Sequence, residues 1–238
     1  MLEYQTLIFF KMNNLTEILK SIIDKIDLKL KISYVDGSRV YLKNTIHLTI
    51  SKIVSIEGYE YKVKSFIINK YVDLEPIGHS EIIPADSDFL IAPSITFLHG
   101  QPKSTNAEYL QLDSLTSAKT PFIWLVESYD FEEGGVGSSI ANSYKVRLFL
   151  LDWANEREWM NKDHNTNVIS PMNNLLRAFK EVISKDFIFK RVENYNVVVR
   201  PRFGVETSSK NTKSKIIDED LSGIEVSFNL EKYKEDNC

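Results

Sequence analysis

Four histidines, one cysteine and a few paired acids are the side chains of this sequence that could do chemistry. His47, His79, His99 and His164 lie far apart, and none stands four residues from another, the spacing that sets two metal ligands on one helical face. His99 before Gly100 and His164 beside Asp163 fall in segments that read as loops, where a surface or capping histidine is the ordinary reading. Nucleophilic catalysis lacks its parts too: there is no Gly-x-Ser-x-Gly elbow, and Cys238 occupies the last position rather than a helix start. Gly134, Gly135 and Gly137 are followed by no Lys-Ser/Thr pair, and Glu132 and Glu133 before them would repel a phosphate. Asp86 with Asp88, and Asp218 with Asp220, are acid pairs of the kind that hold a divalent ion, but no strand-borne glutamate and lysine accompany them. The residue types therefore imply no catalytic centre, no metal and no cofactor. The expectation is a non-enzymatic protein whose side chains serve shape and contact.

Composition bounds the partners. The chain has 238 residues, 43% hydrophobic, with a formal net charge of -4 and a pI near 5.7. That length and apolar content suffice for a sizeable core without disulfide or metal. Lysine and arginine are scattered rather than gathered in a stripe, which argues against sequence-specific nucleic-acid binding. One cysteine cannot close an internal disulfide, so a cytosolic or virion-borne protein fits. The opening residues 1–11 are apolar only briefly and begin with an acid, which fails the pattern of a signal peptide and is too short to span a bilayer. Met12 reads as the more ordinary start, or residues 1–12 as an arm.

The elements that would position any site read as follows. Asn14 with Glu17 resembles a capping box, and Leu15, Ile18, Leu19, Ile22, Ile23 and Ile26 predict an amphipathic helix over 15–28. The period then changes to two. Ile32, Tyr34, the turn Asp36-Gly37-Ser38, Val40 and Leu42 predict a hairpin, and Ile46, Leu48, Ile50, Tyr59, Tyr61 and Val63 continue the alternation. Residues 31–75 thus read as a β-meander of about four or five strands. A loop over 76–88 follows, then an apolar run, Phe89 to Leu98, interrupted by Pro93. A short helix is expected from Asn106 to Leu112.

Residues 121–127 form a continuous apolar run, the mark of a strand buried on both faces at the centre of a sheet. Tyr144 to Trp153 is a second such strand. The glycines between them predict a long mobile loop over 131–139. Ser170-Pro171 reads as an N-cap followed by proline at the first helical position, with Met172, Leu175, Leu176, Phe179, Val182 and Ile183 as one helical stripe. Phe187–Val192 and Tyr195–Val199 are expected to pair, 206–217 to form a polar loop, and Leu221–Leu230 to close the sheet with one face buried. The fold class is α+β: a mixed or antiparallel sheet packed by two main amphipathic helices, with an N-terminal β-meander, all in one domain spanning 13–238. Trp153 and Trp159 stand in a polar context, where one caps the core and the other is a candidate interface anchor.

The string Tyr144 to Trp153, then Trp159, Asp163-His164 and Ile169-Ser-Pro-Met172, followed by Leu221 to Leu230 and Cys238, resembles phage and prophage structural proteins of Bacteroidetes-type phages. The order of helix, sheet, helix and strand is similar to head-tail joining, tail terminator or tail completion proteins. The resemblance implies a virion protein at the neck or tail. It implies a homo-oligomeric ring that contacts neighbouring tail-tube or head-connector proteins, with a net acidity that lets DNA slide through without sticking. The loops 128–143 and 206–217 are then expected to order against neighbours, and Glu132, Glu133, Gly135, Trp153, Trp159, Lys210 and Lys213 become the interface candidates. A second reading is a ligand- or carbohydrate-binding β-module carried by Tyr59, Tyr61 and Tyr71. A third is a divalent-metal nuclease whose acids converge only in the fold.

Overall fold

Alternating side chains in the N-terminal half close into a six-stranded barrel. A computed structural model describes the chain except for residues 1–14, 81, 113–118, 127–130, 134–138, 156–157, 187–188, 191, 208–212, 218 and 234–238, so the expected N-terminal arm lies outside the described residues. Helix α1 (Leu15–Asp24) buries Leu15, Ile18, Leu19, Ile22 and Ile23. The barrel strands are β1 (Lys29–Asp36), β2 (Arg39–Leu42), β3 (Ile53–Ile56), β4 (Tyr59–Ile67), β5 (Tyr71–Pro76) and β6 (Phe89–Ile91). Leu30, Val40, Leu42, Val54, Ile56, Tyr61, Val63, Val72, Leu74 and Leu90 are buried along them. Their period of two is what a sheet with one packed face requires. Gly37 (φ 59°), and Glu57 with Gly58 (φ 51° and 84°), take left-handed conformations in the two tight turns.

The barrel departs from the expected open meander. The strand order is β1-β2-β5-β4-β3-β6, so β2 pairs with β5 rather than β3, and β6 bonds both β1 and β3 to shut the cylinder. Closure removes two sheet edges that would otherwise face solvent. Residues 46–50 are not a strand. Ile46 and Ser51 take positive φ (35° and 68°), and the intervening polar residues Thr45, His47 and Thr49 are as buried as Ile46 and Leu48. Alternation here marks a loop wedged between two layers.

The second half builds a six-stranded sheet of order β11-β14-β10-β8-β7, with β9 also on β10. Its strands are β7 (Thr96–Gly100), β8 (Phe122–Val126), β9 (Phe131–Glu133), β10 (Ile140–Trp153), β11 (Tyr195–Phe203) and β14 (Leu221–Tyr233); β12 (Val205–Thr207) and β13 (Lys213–Lys215) form a separate hairpin within the expected polar loop. Pro93 ends the first apolar run, so its two halves, β6 and β7, enter different sheets. The β8 strand is buried between β7 and β10 as its continuous apolar run requires. The β14 strand lies between β10 and β11 and is buried on both faces over Leu221–Val226, not on one. Glu132 and Glu133 lie in β9, not in a loop. The described residues of Phe187–Val192 show no pairing with β11: Phe189 bridges to Lys232, while 187, 188 and 191 lie outside the described residues.

Helix α2 (Pro102–Gln111) begins earlier than expected, with Pro102 in its first turn. Ser170 is not an N-cap, because the chain is already helical before it: α3 (Asn161–His164) runs through a π turn (Asn165–Ile169) into α4 (Ser170–Lys185). The true start lies at Met160, whose N–H donates to Asp163 Oδ2 at 2.9 Å. A widened turn accommodates the missing N–H and the ring of Pro171. One apolar cluster runs from α1 and the barrel through α4 to one face of the second sheet. A smaller one, with Trp124, Phe149, Phe203 and Tyr109, covers the opposite face.

Candidate functional site

Three places in the fold carry unusual chemistry: a buried polar cluster where barrel meets sheet, a pair of buried histidines, and an open sheet edge beside an arginine-rimmed pocket. In the first, Lys52 Nζ lies 2.7 Å from Asp152 Oδ1, and both side chains are almost fully buried. Lys52 also donates to Thr120 O and Oγ1. Asp152 accepts from Thr49 Oγ1 and from the Trp153 N–H, each at 2.7 Å. Burial lowers the Lys52 pKa, and the nearby Asp152 carboxylate opposes that shift. Since all these groups hold each other, the cluster is a pin between the loop before β3 and the strand β10.

His47 and His164 are both buried, and for His164 this overturns the surface or capping position in a loop that the sequence suggested. His47 Nε2 donates to Pro93 O at 2.8 Å, which leaves Nδ1 as an unprotonated lone pair in the interior. Burial drops the His47 pKa to about 4. His164 Nδ1 donates to Ser222 Oγ at 2.6 Å, and Ser222 in turn donates to Pro201 O. The serine proton is committed to a carbonyl, so this pair is not a nucleophile and its base.

These histidines set an acid limit on stability. The folded state holds His47 neutral while the unfolded chain takes up a proton below about pH 6.5, so the contribution is complete above pH 6.5 and lost as pH falls through 4. The full loss is about 3 kcal/mol. Denaturant unfolding at pH 7 and pH 4 should show it, and His47→Gln should flatten the slope in part. His164, whose pKa burial also lowers, retains the rest. Equal slopes for both proteins would refute this assignment.

The open edge belongs to β11. It pairs with β14 on one side, and no described strand pairs with the other. Val197 and Val198 are half-buried there, while Val199 and Tyr195 are 47% and 44% exposed. Beside this edge, Arg147, Arg200 and Arg202 rim a cavity of about 350 Å3 floored by Trp124, Phe149 and Phe203. Glu225, from β14, is clamped by Arg147 Nε at 2.6 Å and by Arg200 Nη2 and Nε at 2.6 and 3.0 Å. Burial alone would raise the Glu225 pKa, but the two guanidinium groups overcome it and hold the carboxyl below its usual range. Arg202 is exposed and makes no ion pair with a described residue. A larger groove of about 730 Å3 between α1 and α4 is lined by Lys25, Lys29 and Lys185 against Asp27, Glu181 and Asp186, a balance that favours neither sign of ligand.

The expected interface residues divide. Glu132 and Glu133 are exposed on β9. Trp153 and Trp159 meet edge to face at 5.7 Å, half-buried, and Trp159 packs against His164 at 5.6 Å, so both tryptophans cover the core. Lys213 lies in β13 on the 205–215 hairpin, while Gly135 and Lys210 fall outside the described residues. Tyr59, Tyr61 and Tyr71 do not share a cleft. Tyr59 and Tyr61 meet at His79, with Tyr61 buried; Tyr71 joins Tyr41 and Tyr34 in a separate ladder capped by Arg39. Asp86 and Asp88 are exposed, and among the described residues no group of three or more His, Cys, Asp or Glu converges. No described helix is long and apolar enough to cross a membrane. The arginine clamp went unread in the sequence, although a signal was there: Arg147 and Glu225 are charges flanked by apolar residues within strands. Compared with protein-family models, curated proteins and solved structures, the chain has no match.

Proposed function

We propose that this chain is a non-enzymatic structural subunit that works by assembling with copies of itself. Its place would be the neck or tail of a phage particle, in the manner of a tail terminator or tail completion protein. The observation that supports assembly is the outer edge of β11, with which no described strand pairs, on a strand of nine residues with a run of three valines. Soluble proteins blunt such edges with charge or proline. Here Arg200, Pro201 and Arg202 guard only the last third, and Tyr195–Val199 is left as a template for another strand.

The buried polar pairs elsewhere support the same reading, because they hold the fold together. Lys52 pairs with Asp152, and His164 Nδ1 with Ser222, in the interior. The phage placement rests on the resemblance carried by residues 144–183 and 221–230. Sedimentation or native mass measurement of the purified chain over a range of concentrations is the test. A discrete closed oligomer is expected, and a chain that stays monomeric up to its solubility limit would sink the proposal.

A further inference from the structure

We infer that the subunits join head to tail, with β9 of one copy added to β11 of the next and Glu132 set against Arg200 and Arg202. This rests on the self-association proposed above and adds its direction and its residues. Among the described residues, the second sheet has an unpaired edge on each side. On the far side from β11, β9 continues the line of β8 along β10 but lies beyond the end of β7, whose last residue Gly100 is opposite Val126. No described strand pairs with the outer side of β9.

Strand directions fit. The β11 strand is antiparallel to β14, and β14 to β10, so β11 runs with β10, whereas β9 runs against it. Shifting one copy along the sheet therefore brings β9 antiparallel to β11, the geometry that needs no crossover. The faces fit as well. Glu132 is opposite Ser143, which shares a face of β10 with Arg147 and Leu151; Arg200 is opposite Gly223, which is opposite Leu151. Because side chains alternate along each strand, Glu132 and Arg200 point to the same face of the extended sheet.

Charge then selects this pairing over its alternative. Arg147 and Arg200 share the one carboxylate of Glu225 and Arg202 stands beside them, an excess of positive charge at the β11 edge. The three-residue β9 carries two exposed carboxylates, and Lys145, 3.9 Å from Glu132, is itself exposed and screens it weakly. Pairing β11 with the β11 of a second copy would instead place two arginine clusters on one interface. A head-to-tail contact repeats around an axis and closes into a ring when its rotation allows, whereas the symmetric contact stops at a dimer.

Charge reversal tests the inference. Glu132→Lys with Glu133→Lys, and separately Arg202→Glu, change exposed side chains, and thermal melting confirms that each variant folds. Each alone is expected to self-associate roughly a hundredfold more weakly, since like charges facing across an interface cost several kcal/mol. Mixing the two variants is expected to restore assembly, because the intact β11 of the first meets the intact β9 of the second, and the lysines on β9 of the first meet the reversed charge on β11 of the second. Variants that assemble as the wild type does, a mixture that stays monomeric, or a wild type that stops at a symmetric dimer would each overturn the head-to-tail pairing while self-association stands. A wild type that is monomeric throughout overturns both.

Discussion

Replacing Asp152 with alanine is expected to remove about 3–5 kcal/mol of folding stability, because it leaves the Lys52 ammonium charged and unpaired in the interior. Lys52 is 3% and Asp152 1% exposed at the side chain, so no water replaces the lost carboxylate. Thr49 Oγ1 and the Trp153 N–H lose an acceptor at the same time. Denaturant unfolding measures the loss directly. Converting both partners to apolar residues of similar size, Lys52→Met with Asp152→Leu, should cost far less than the single change, because two desolvated charges disappear together. If the single and double variants are equally unstable, the pair is not what pins the barrel to the sheet. An exposed pair such as Lys20–Asp24, at 62% and 60%, is a suitable control that should move stability very little.

That cluster also shows where the sequence stops being informative. Thr49 meets Asp152 across 103 positions, and Lys52 meets Thr120 across 68. Local alternation at Ile46, Leu48 and Ile50 has the period of a half-exposed strand only if its polar partners face water. Here Thr45, His47 and Thr49 face Asn69, Pro93 and Asp152, and nothing near residue 50 reports those partners. The barrel closed for a similar reason: a pairing of β2 with β5, and β6 between β1 and β3, is a long-range register that strand patterns do not encode. By contrast, 122–126 was legible, because a strand at the centre of a sheet must be apolar on both faces and that pattern is local, whereas the alternation of 221–230 showed a strand but not its central place.

The candidate site divides along the same line. Glu132 and Glu133 were singled out as interface residues, but the glycines after them read as a loop and concealed that they form a strand on β10. Arg200 and Arg202 follow Tyr195–Val199 directly, so the sequence shows the apolar edge and its guarding charges side by side. What it does not show is that β11 lies at the border of the sheet, since that depends on which strands β14 accepts. An edge position is a property of the whole topology. It is also what turns an ordinary valine run into a surface able to recruit another strand.

The second large effect falls on the strand that this topology makes central. Gly223 of β14 lies opposite Leu151 in β10, and a Cβ at that position would stand 2.0 Å from Leu150 O and 2.9 Å from both Leu150 C and Leu151 Cδ2. Two of the three atoms are backbone in the partner strand, so no rotamer change relieves the clash. Relief requires β10 and β14 to separate, and these two strands carry the apolar cores on both faces of the sheet. Gly223→Ala is therefore expected to cost more than about 4 kcal/mol, or to leave no folded protein, the range reserved for strain that the structure cannot absorb. Gly58→Ala is the comparison. A Cβ there meets nothing within 4 Å, and only its positive φ of 84° resists the change, a penalty of about 1–2 kcal/mol. Soluble yield and thermal melting of the two variants separate the cases. Similar melting for both would mean that β10 and β14 can separate at little cost, and that the arginine clamp built across them, Arg147 to Glu225 to Arg200, is not held in register by the glycine beneath it.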